Sequence, residues 1–514
     1  MRNELIAGFL LAAACAGQPP VELFRAPTDG ADLPYSLYVP PDYDARRAYP
    51  LIVTLHDLAS NHAASLRQVF GVEALAPGLR GVRAPLPDRQ YLVLAPQARP
   101  GAGWRGIGET DLFALLERVE TLYRVDPDRV YLTGAGMGAA EALRFAVTRP
   151  GRWAAVALAS LFWPDGREEE AAPFAGNAAG APYRLVHGQN DPVAPPVLAR
   201  AWHRRLLAAG AQADYFEYPR VRHNAWMLLY RDGGIFDWFA QFRRDAFPVS
   251  LKHTTARYEH RRSRWLEITR LTPGETATAE ARFTGPNRME VSTSGVRGVT
   301  FHLARHPLFV KDKPLTVLLD GHVITAKGTA FSRVSGAWRA GDASPEAGQK
   351  RDGAEGPLPA GVSRRHIYVH GDATKEWAVR ASQWPSAAFD LADGAAAVPA
   401  DADLVVFGTA GTNPWLARHE SRLPVALQES AADYGLLFVT SLDGRYVTVN
   451  SGIPWWQGLE PGSPAQLLPE QVDFVLFRGS LRTIVVSGRF DEDWKLPAEA
   501  AAKMVQTGAV RMLR

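Results

Sequence analysis

Between residues 21 and 242 short unbroken apolar runs alternate with longer stretches of helical period. The runs are YSLYV (35–39), LIVTL (51–55), YLVLA (91–95), VYLT (130–133), AAVAL (154–158) and YRLVH (183–187), followed by the less apolar ADYFEY (213–218). Continuous apolar runs of four to six residues suit strands covered on both faces. Between them, 110–125 and 195–210 repeat apolar positions every three or four residues, as helices packed on such a sheet do. This alternation predicts a doubly wound, mostly parallel α/β sheet.

After Phe242 the rhythm changes. Residues 248–326 read as short strands with turns between them, RWLEITRL, ATAEARFTG, RMEVSTS, VTFHLA and LTVLLDG, which predicts a small β-domain. The stretch 334–361, rich in Gly, Ala and charge, reads as a linker or mobile loop. Beyond it, HIYVHG, DLVVFGT, YGLLFVT, RYVTVN, DFVLF and RTIVVSG are separated by weak helical patterns, and a third α/β domain is expected. The division is 20–245, 246–330 and 331–514, with no internal repeat relating the parts. A chain of 514 residues calls for more than one core in any case.

Composition changes this picture little. Hydrophobic content of 46%, charged content of 22% and a formal charge of +3 suit a globular protein and give no basic surface for nucleic acid. The N-terminus adds more. The apolar run LIAGFLLAAA (5–14) is too short to span a bilayer and reads as a signal-peptide core, so residues 1–19 are expected to be a signal peptide or lipoprotein signal. Cys15, the single cysteine, follows Ala12-Ala13-Ala14 as in a lipobox and is the candidate lipidation site. Cleavage after Ala14-Cys15-Ala16 and a buried N-terminal helix are the alternatives. The expectation is an exported protein, periplasmic, cell-surface or secreted, touching a membrane only through such an anchor.

The candidate chemistry starts at VYLTGAGMGAAEALRFA (130–146): strand, glycine-framed turn, helix. A G-x-S-x-G turn in that setting holds a reactive serine, but its centre here is Gly136. Serine, acid and histidine follow in that chain order in hydrolases of this design, each after its own strand. Strand YRLVH runs into HGQNDPV, placing Asp191 at a strand end, and ADYFEY runs into PRVRHNAW, placing His223 on the last loop. A phosphate cradle at the glycine turn is the competing reading, with no lysine nearby to support it.

The segments LPYSLYVPPDYD (33–44), LIVTLHD (51–57), VDPDRVYLTGAGMG (125–138), HGQNDPV (187–193) and RHNAWMLLY (222–230) resemble the α/β-hydrolase superfamily. The similarity is to secreted esterases of the polyhydroxybutyrate depolymerase, feruloyl esterase and prolyl-oligopeptidase-like group. It implies Asp191 and His223 at the triad positions, and a nucleophile position occupied by Gly136. It also implies an oxyanion hole from the N–H groups of Met137 and Asp57, where the usual His-Gly reads His56-Asp57. Glycine forms no acyl-enzyme, so the expected protein is a catalytically impaired homologue that binds an ester, glycan or peptide. Trp104, Trp163 and Trp226 are the candidate binding aromatics, with ordinary loop packing as the competing explanation.

Several alternatives stay open at this level. Water activated by His223 and Asp191, a substitute nucleophile at Thr133 or Ser160, or a non-catalytic scaffold would each fit the sequence. His56, Asp57 and His62 match no trusted metal spacing, and no metal or other cofactor is expected.

Overall fold

The computed structural model describes residues 21–72, 86–164, 166–384, 387–459 and 467–513. Cys15 and the expected signal segment lie outside them.

The first unit is built on eight strands: β1 (Val21–Arg25), β2 (Asp32–Tyr38), β3 (Tyr49–Leu55), β4 (Leu92–Pro96), β5 (Val125–Ala135), β6 (Ala155–Ala159), β7 (Tyr183–Gly188) and β8 (Ala213–Tyr218). They are ordered β1-β2-β4-β3-β5-β6-β7-β8; β1 and β2 pair antiparallel and every pairing from β4 to β8 is parallel. Helices α1 (His62–Val69), α2 (Ile107–Leu122), α3 (Met137–Thr148) and α4 (Pro196–Ala208) connect them.

Unbroken apolar runs arise because both faces are covered. Leu51, Val53 and Leu55 of β3 join one apolar cluster with Leu143 and Phe145 of α3, while Ile52 joins a second with Tyr131, Phe236 and Phe239. The small residues of the turn set how closely α3 approaches the sheet. A Cβ on Gly138 would lie 2.1 Å from the Leu55 carbonyl oxygen, so only glycine lets the helix start directly over β3. This is an α/β-hydrolase fold, followed by β-rich units.

The second unit pairs two five-stranded sheets. One holds Arg262–Ser263, Leu266–Leu271, Val296–Phe301, Ala330–Val334 and Ala337–Ala340; the other holds His322–Ala326, Leu315–Leu319, Arg288–Ser294, Ala277–Gly285 and Ser250–Thr255. Trp265, Ile268, Phe283, Val299, Val317 and Phe331 form their shared core. The third unit is a seven-stranded mixed sheet, whose strands Asp390–Asp393, His366–His370, Asp403–Phe407 and Arg445–Gly452 run parallel. Helices Lys375–Ser382 and Ala498–Gln506 accompany it.

Two expectations are corrected here. Strands Ala330–Val334 and Ala337–Ala340 carry the second unit past the expected boundary at 330. The Gly-rich stretch 334–361 is anchored rather than a loose linker. Within it the Lys350 ammonium is buried against the Asp473 carboxylate and donates to the Phe490 carbonyl at 3.0 Å. Glu355 is buried too, accepting the Tyr258 and Glu259 N–H groups; burial, opposed by Arg257, pushes its carboxyl up to about 7. Composition reports solvation on average, and these two side chains are paired across sequence separations that a local reading does not see.

A buried ion network joins the first two units. Glu109 of α2 accepts from Arg144 at 2.8 Å and Arg149 at 3.0 Å, and Arg149 also reaches Glu259 at 2.6 Å. Burial alone would raise the Glu109 carboxyl, but Arg144, His260 and Arg149 together outweigh it and hold it well below the usual range. His260 lies beside it, and Glu109, Glu259 and His260 are the group closest to a metal-ligand set among the described residues. The two guanidinium partners make it an ion-pair network instead.

Candidate active site

Strand β5 ends at Ala135, α3 begins at Met137, and Gly136 between them has φ 54° and ψ −121°. A side chain at positive φ costs about 1–3 kcal/mol, which enzymes with a serine here accept and glycine avoids. The turn is fixed by Gly136 donating its N–H to the Ala159 carbonyl at 3.0 Å and accepting from Ala139 at 3.1 Å. The turn has the strand–turn–helix form of an elbow, and residue 136 brings no side chain to it.

The acid and histidine meet as their order in the chain implies. Asp191, past the end of β7, accepts the N–H groups of Val193 and Ala194, each at 2.9 Å, on Oδ1. Its Oδ2 accepts from Nδ1 of His223 at 2.8 Å. That bond fixes the ring, leaving Nε2 to face the elbow. The imidazole is also held between the rings of Phe162 and Trp226, at centroid distances of 5.9 and 5.6 Å.

Nε2 meets a second carboxylate there. Asp57, just past β3, places Oδ2 3.3 Å from Nε2 of His223. Its Oδ1 accepts the N–H of Met137 at 2.9 Å and of Leu58 at 2.7 Å. An ideal Cβ on Gly136 would come 1.9 Å from Oδ1 and 2.2 Å from Cγ of Asp57. The carboxylate therefore fills the volume a residue-136 side chain would need and consumes the Met137 N–H expected to bind an oxyanion. The sequence placed Asp57 at the oxyanion loop for its backbone; its side chain is what occupies the site.

The charges agree with the geometry. Burial would raise the Asp57 carboxyl, but its bond to His223 and the two N–H donors lower it below the ordinary value. Burial pulls His223 down, and the Asp57 and Asp191 carboxylates together push it above the ordinary histidine value. The two carboxylates, 2.8 Å from Nδ1 and 3.3 Å from Nε2, favour the protonated form of His223, in which both ring N–H groups have an acceptor. A folded-state value above the unfolded one of about 6.5 contributes stability that is complete below that pH and is lost as pH rises through the folded value. NMR titration of the imidazole should find His223 protonated above the ordinary range, and Asp57→Asn should lower its pKa by about 1 unit or more. A wild-type midpoint at or below about 6.5 would contradict this pairing.

Other expectations are redistributed. Trp104 is 1% exposed and Trp163 5% exposed, the latter stacked on Trp202, so both are core residues with no face for a ligand. Of the three tryptophans only Trp226 reaches the site. Thr133 is buried and donates to the Ala157 carbonyl at 2.7 Å, and Ser160 is fully buried, so neither offers a nucleophile. His56 is spoken for by the Asp57 carbonyl and the Ala98 N–H, and His62 by Ser36, which leaves no metal set with Asp57. Sequence reasoning did not find Leu58 or Phe162. The first acts through its backbone, which carries no residue-type signal.

The sheet order, the elbow and the Asp191–His223 pair define an α/β-hydrolase domain with an esterase-like site. Residues 111–229, which contain all three triad positions, match the phospholipase/carboxylesterase family model. A probable feruloyl esterase C of Aspergillus niger is 28% identical over 201 residues, 37% of this chain and 67% of that protein. Its namesake from Aspergillus oryzae is 28% identical over 172 residues, which span only 57% of its length. Solved structures include a thermostable esterase, with TM-score 0.34 and 22% identity over 44% of this chain and 63% of that one. A ferulic acid esterase from Anaeromyces mucronatus in complex with ferulic acid gives 0.31 and 14%, over 45% and 93%. Over its first unit the chain is similar in sequence to esterases of the α/β-hydrolase superfamily.

Proposed function

We propose that this protein is an esterase-like homologue that no longer hydrolyses esters by a serine mechanism and keeps the site's surroundings for binding. The observation that carries this is the Asp57 carboxylate 1.9 Å from the position of a Cβ on Gly136. Loss of the serine alone would leave an empty elbow. Here the vacancy is filled, the Met137 N–H is used, and the would-be base lies against a second carboxylate that pushes its pKa up.

The same facts weigh against direct activation of water. A general base needs a free lone pair near neutral pH, and Nε2 of His223 lies 3.3 Å from the Asp57 carboxylate, which favours the protonated ring. The relatives named as feruloyl esterases supply the ligand class to try first, an aryl-bearing acid or ester.

The test is hydrolysis of p-nitrophenyl acetate by the wild type beside His223→Ala. The expected result is the same low rate for both, with no labelling of the wild type by a fluorophosphonate. A wild-type rate that His223→Ala lowers tenfold or more would establish catalysis through His223 and overturn the proposal.

A further inference from the structure

Beside the His223 loop lies a cleft of about 570 Å³, within the range of small-molecule sites. One wall is Gln68, Gly71 and Val72 at the end of α1; the other runs from Arg220 to Asp232. Arg222 and Asn224 flank His223 in sequence, and Trp226, which packs on the His223 ring, lines the cleft. The cleft therefore adjoins the His223 ring through Trp226, and its lining includes neither Asp57 nor Gly136.

Three arginines stand in the polar lining of this cleft. Arg220, Arg222 and Arg231 all line it and are exposed, and among the described residues no carboxylate pairs with any of them. Among the described residues Asp232 is the acidic side chain lining the cleft, beside three guanidinium groups. Apolar surface comes from Val72, Trp226, Met227 and Leu228, with Met227 47% exposed. Unpaired guanidinium forks bind carboxylates through paired N–H donors, and an exposed Met beside a half-buried Trp accepts a flat or branched apolar body.

We propose that this cleft binds an organic carboxylate with an aromatic body, the carboxylate held by Arg222 and Arg231 and the body against Trp226. This rests on the reading of the domain as a binder. The binder reading predicts a retained surface near the old site, and the arginines give that surface a charge preference which a neutral ester cannot satisfy. An acid is what ester hydrolysis releases, so a protein without the hydrolytic step would recognise the product form and not the ester.

The experiment is titration calorimetry of the full chain with trans-cinnamate, methyl cinnamate and inorganic phosphate, repeated with Arg222→Met/Arg231→Met and with Trp226→Leu. Cinnamate should bind at least tenfold tighter than its methyl ester. The double arginine variant should lose that preference, and Trp226→Leu should weaken cinnamate about fivefold or more. Arg282→Met, on the outer surface of the second unit, should change nothing. Equal affinity for acid and ester, phosphate binding as tightly as cinnamate, or unchanged cinnamate binding in the double variant would each overturn the assignment, as would no binding up to millimolar cinnamate. Release of cinnamate from methyl cinnamate, lost in His223→Ala, would instead overturn the proposed loss of catalysis while leaving the cleft assignment to the binding data.

Discussion

A Gly136→Ser, Asp57→Gly double variant is expected to hydrolyse p-nitrophenyl acetate at least about 10³-fold faster than the wild type, whereas Gly136→Ser alone stays inactive. The asymmetry follows from one contact. A serine Cβ at residue 136 would meet the Asp57 carboxylate at 1.9 Å, and flexible as that side chain is, its Oδ1 is tied to Met137 and Leu58 and its Oδ2 faces His223. The single variant must break those bonds and also place a side chain at φ 54°. Removing Asp57 instead frees the volume, releases the Met137 N–H and relieves His223 of one of its two anions, so that its Nε2 can again accept a proton. Each return is large by itself: one oxyanion donor is worth about 10²–10³ in rate, and nucleophile and base act as a unit. The two substitutions should therefore be strongly non-additive. Activity in Gly136→Ser equal to that of the double variant would show that Asp57 does not block the elbow. An inactive double variant whose His223 pKa has fallen would show that the remaining oxyanion geometry is also gone.

The second large effect is on stability and lies far from the site. Asp473→Ala should destabilise the C-terminal unit by about 3–5 kcal/mol, because the Lys350 ammonium would remain buried without its counter-ion. Lys350 is 1% exposed, and burial already pulls its pKa below the ordinary lysine value against the opposing pull of Asp473. Asp473 also accepts the Phe490 N–H at 3.0 Å, so a backbone donor would be orphaned as well. A urea titration followed by tryptophan fluorescence would show the loss. Lys350→Met combined with Asp473→Leu should recover a large part of it, since replacing both members of a buried pair is far less costly than removing one. Were residues 334–361 a free linker, changes at Lys350 would stay within about 0.5 kcal/mol, and that result would dismiss the anchored description.

Much of the first unit was legible in the chain because its signals are local. LIVTL and AAVAL are unbroken apolar runs because both faces of β3 and β6 are covered, and the need to cover them is written at the strands themselves. Parallel strands joined by helices put every strand's C-terminal end on one edge, so chain order was enough to bring Asp191 to His223. The glycine at the elbow is equally local, because residue 136 alone decides whether a side chain stands at that φ. Tertiary structure decided what no run or spacing encodes. Asp57 and Met137 are 80 positions apart, and only the pairing of β3 with β5 brings the carboxylate to the helix N-terminus. A loop aspartate looks the same in sequence whether it faces water or fills an elbow. Trp104 and Trp163 likewise read as aromatic loop residues until neighbouring segments closed over them, and Lys350 read as linker charge until Asp473 met it. Sequence determined the scaffold and the meeting of Asp191 with His223, because periodicity and chain order are properties of one segment or one connection at a time. The state of the site was decided by the fold, because the space beside Gly136 belongs to whichever side chain the packing of distant strands delivers there.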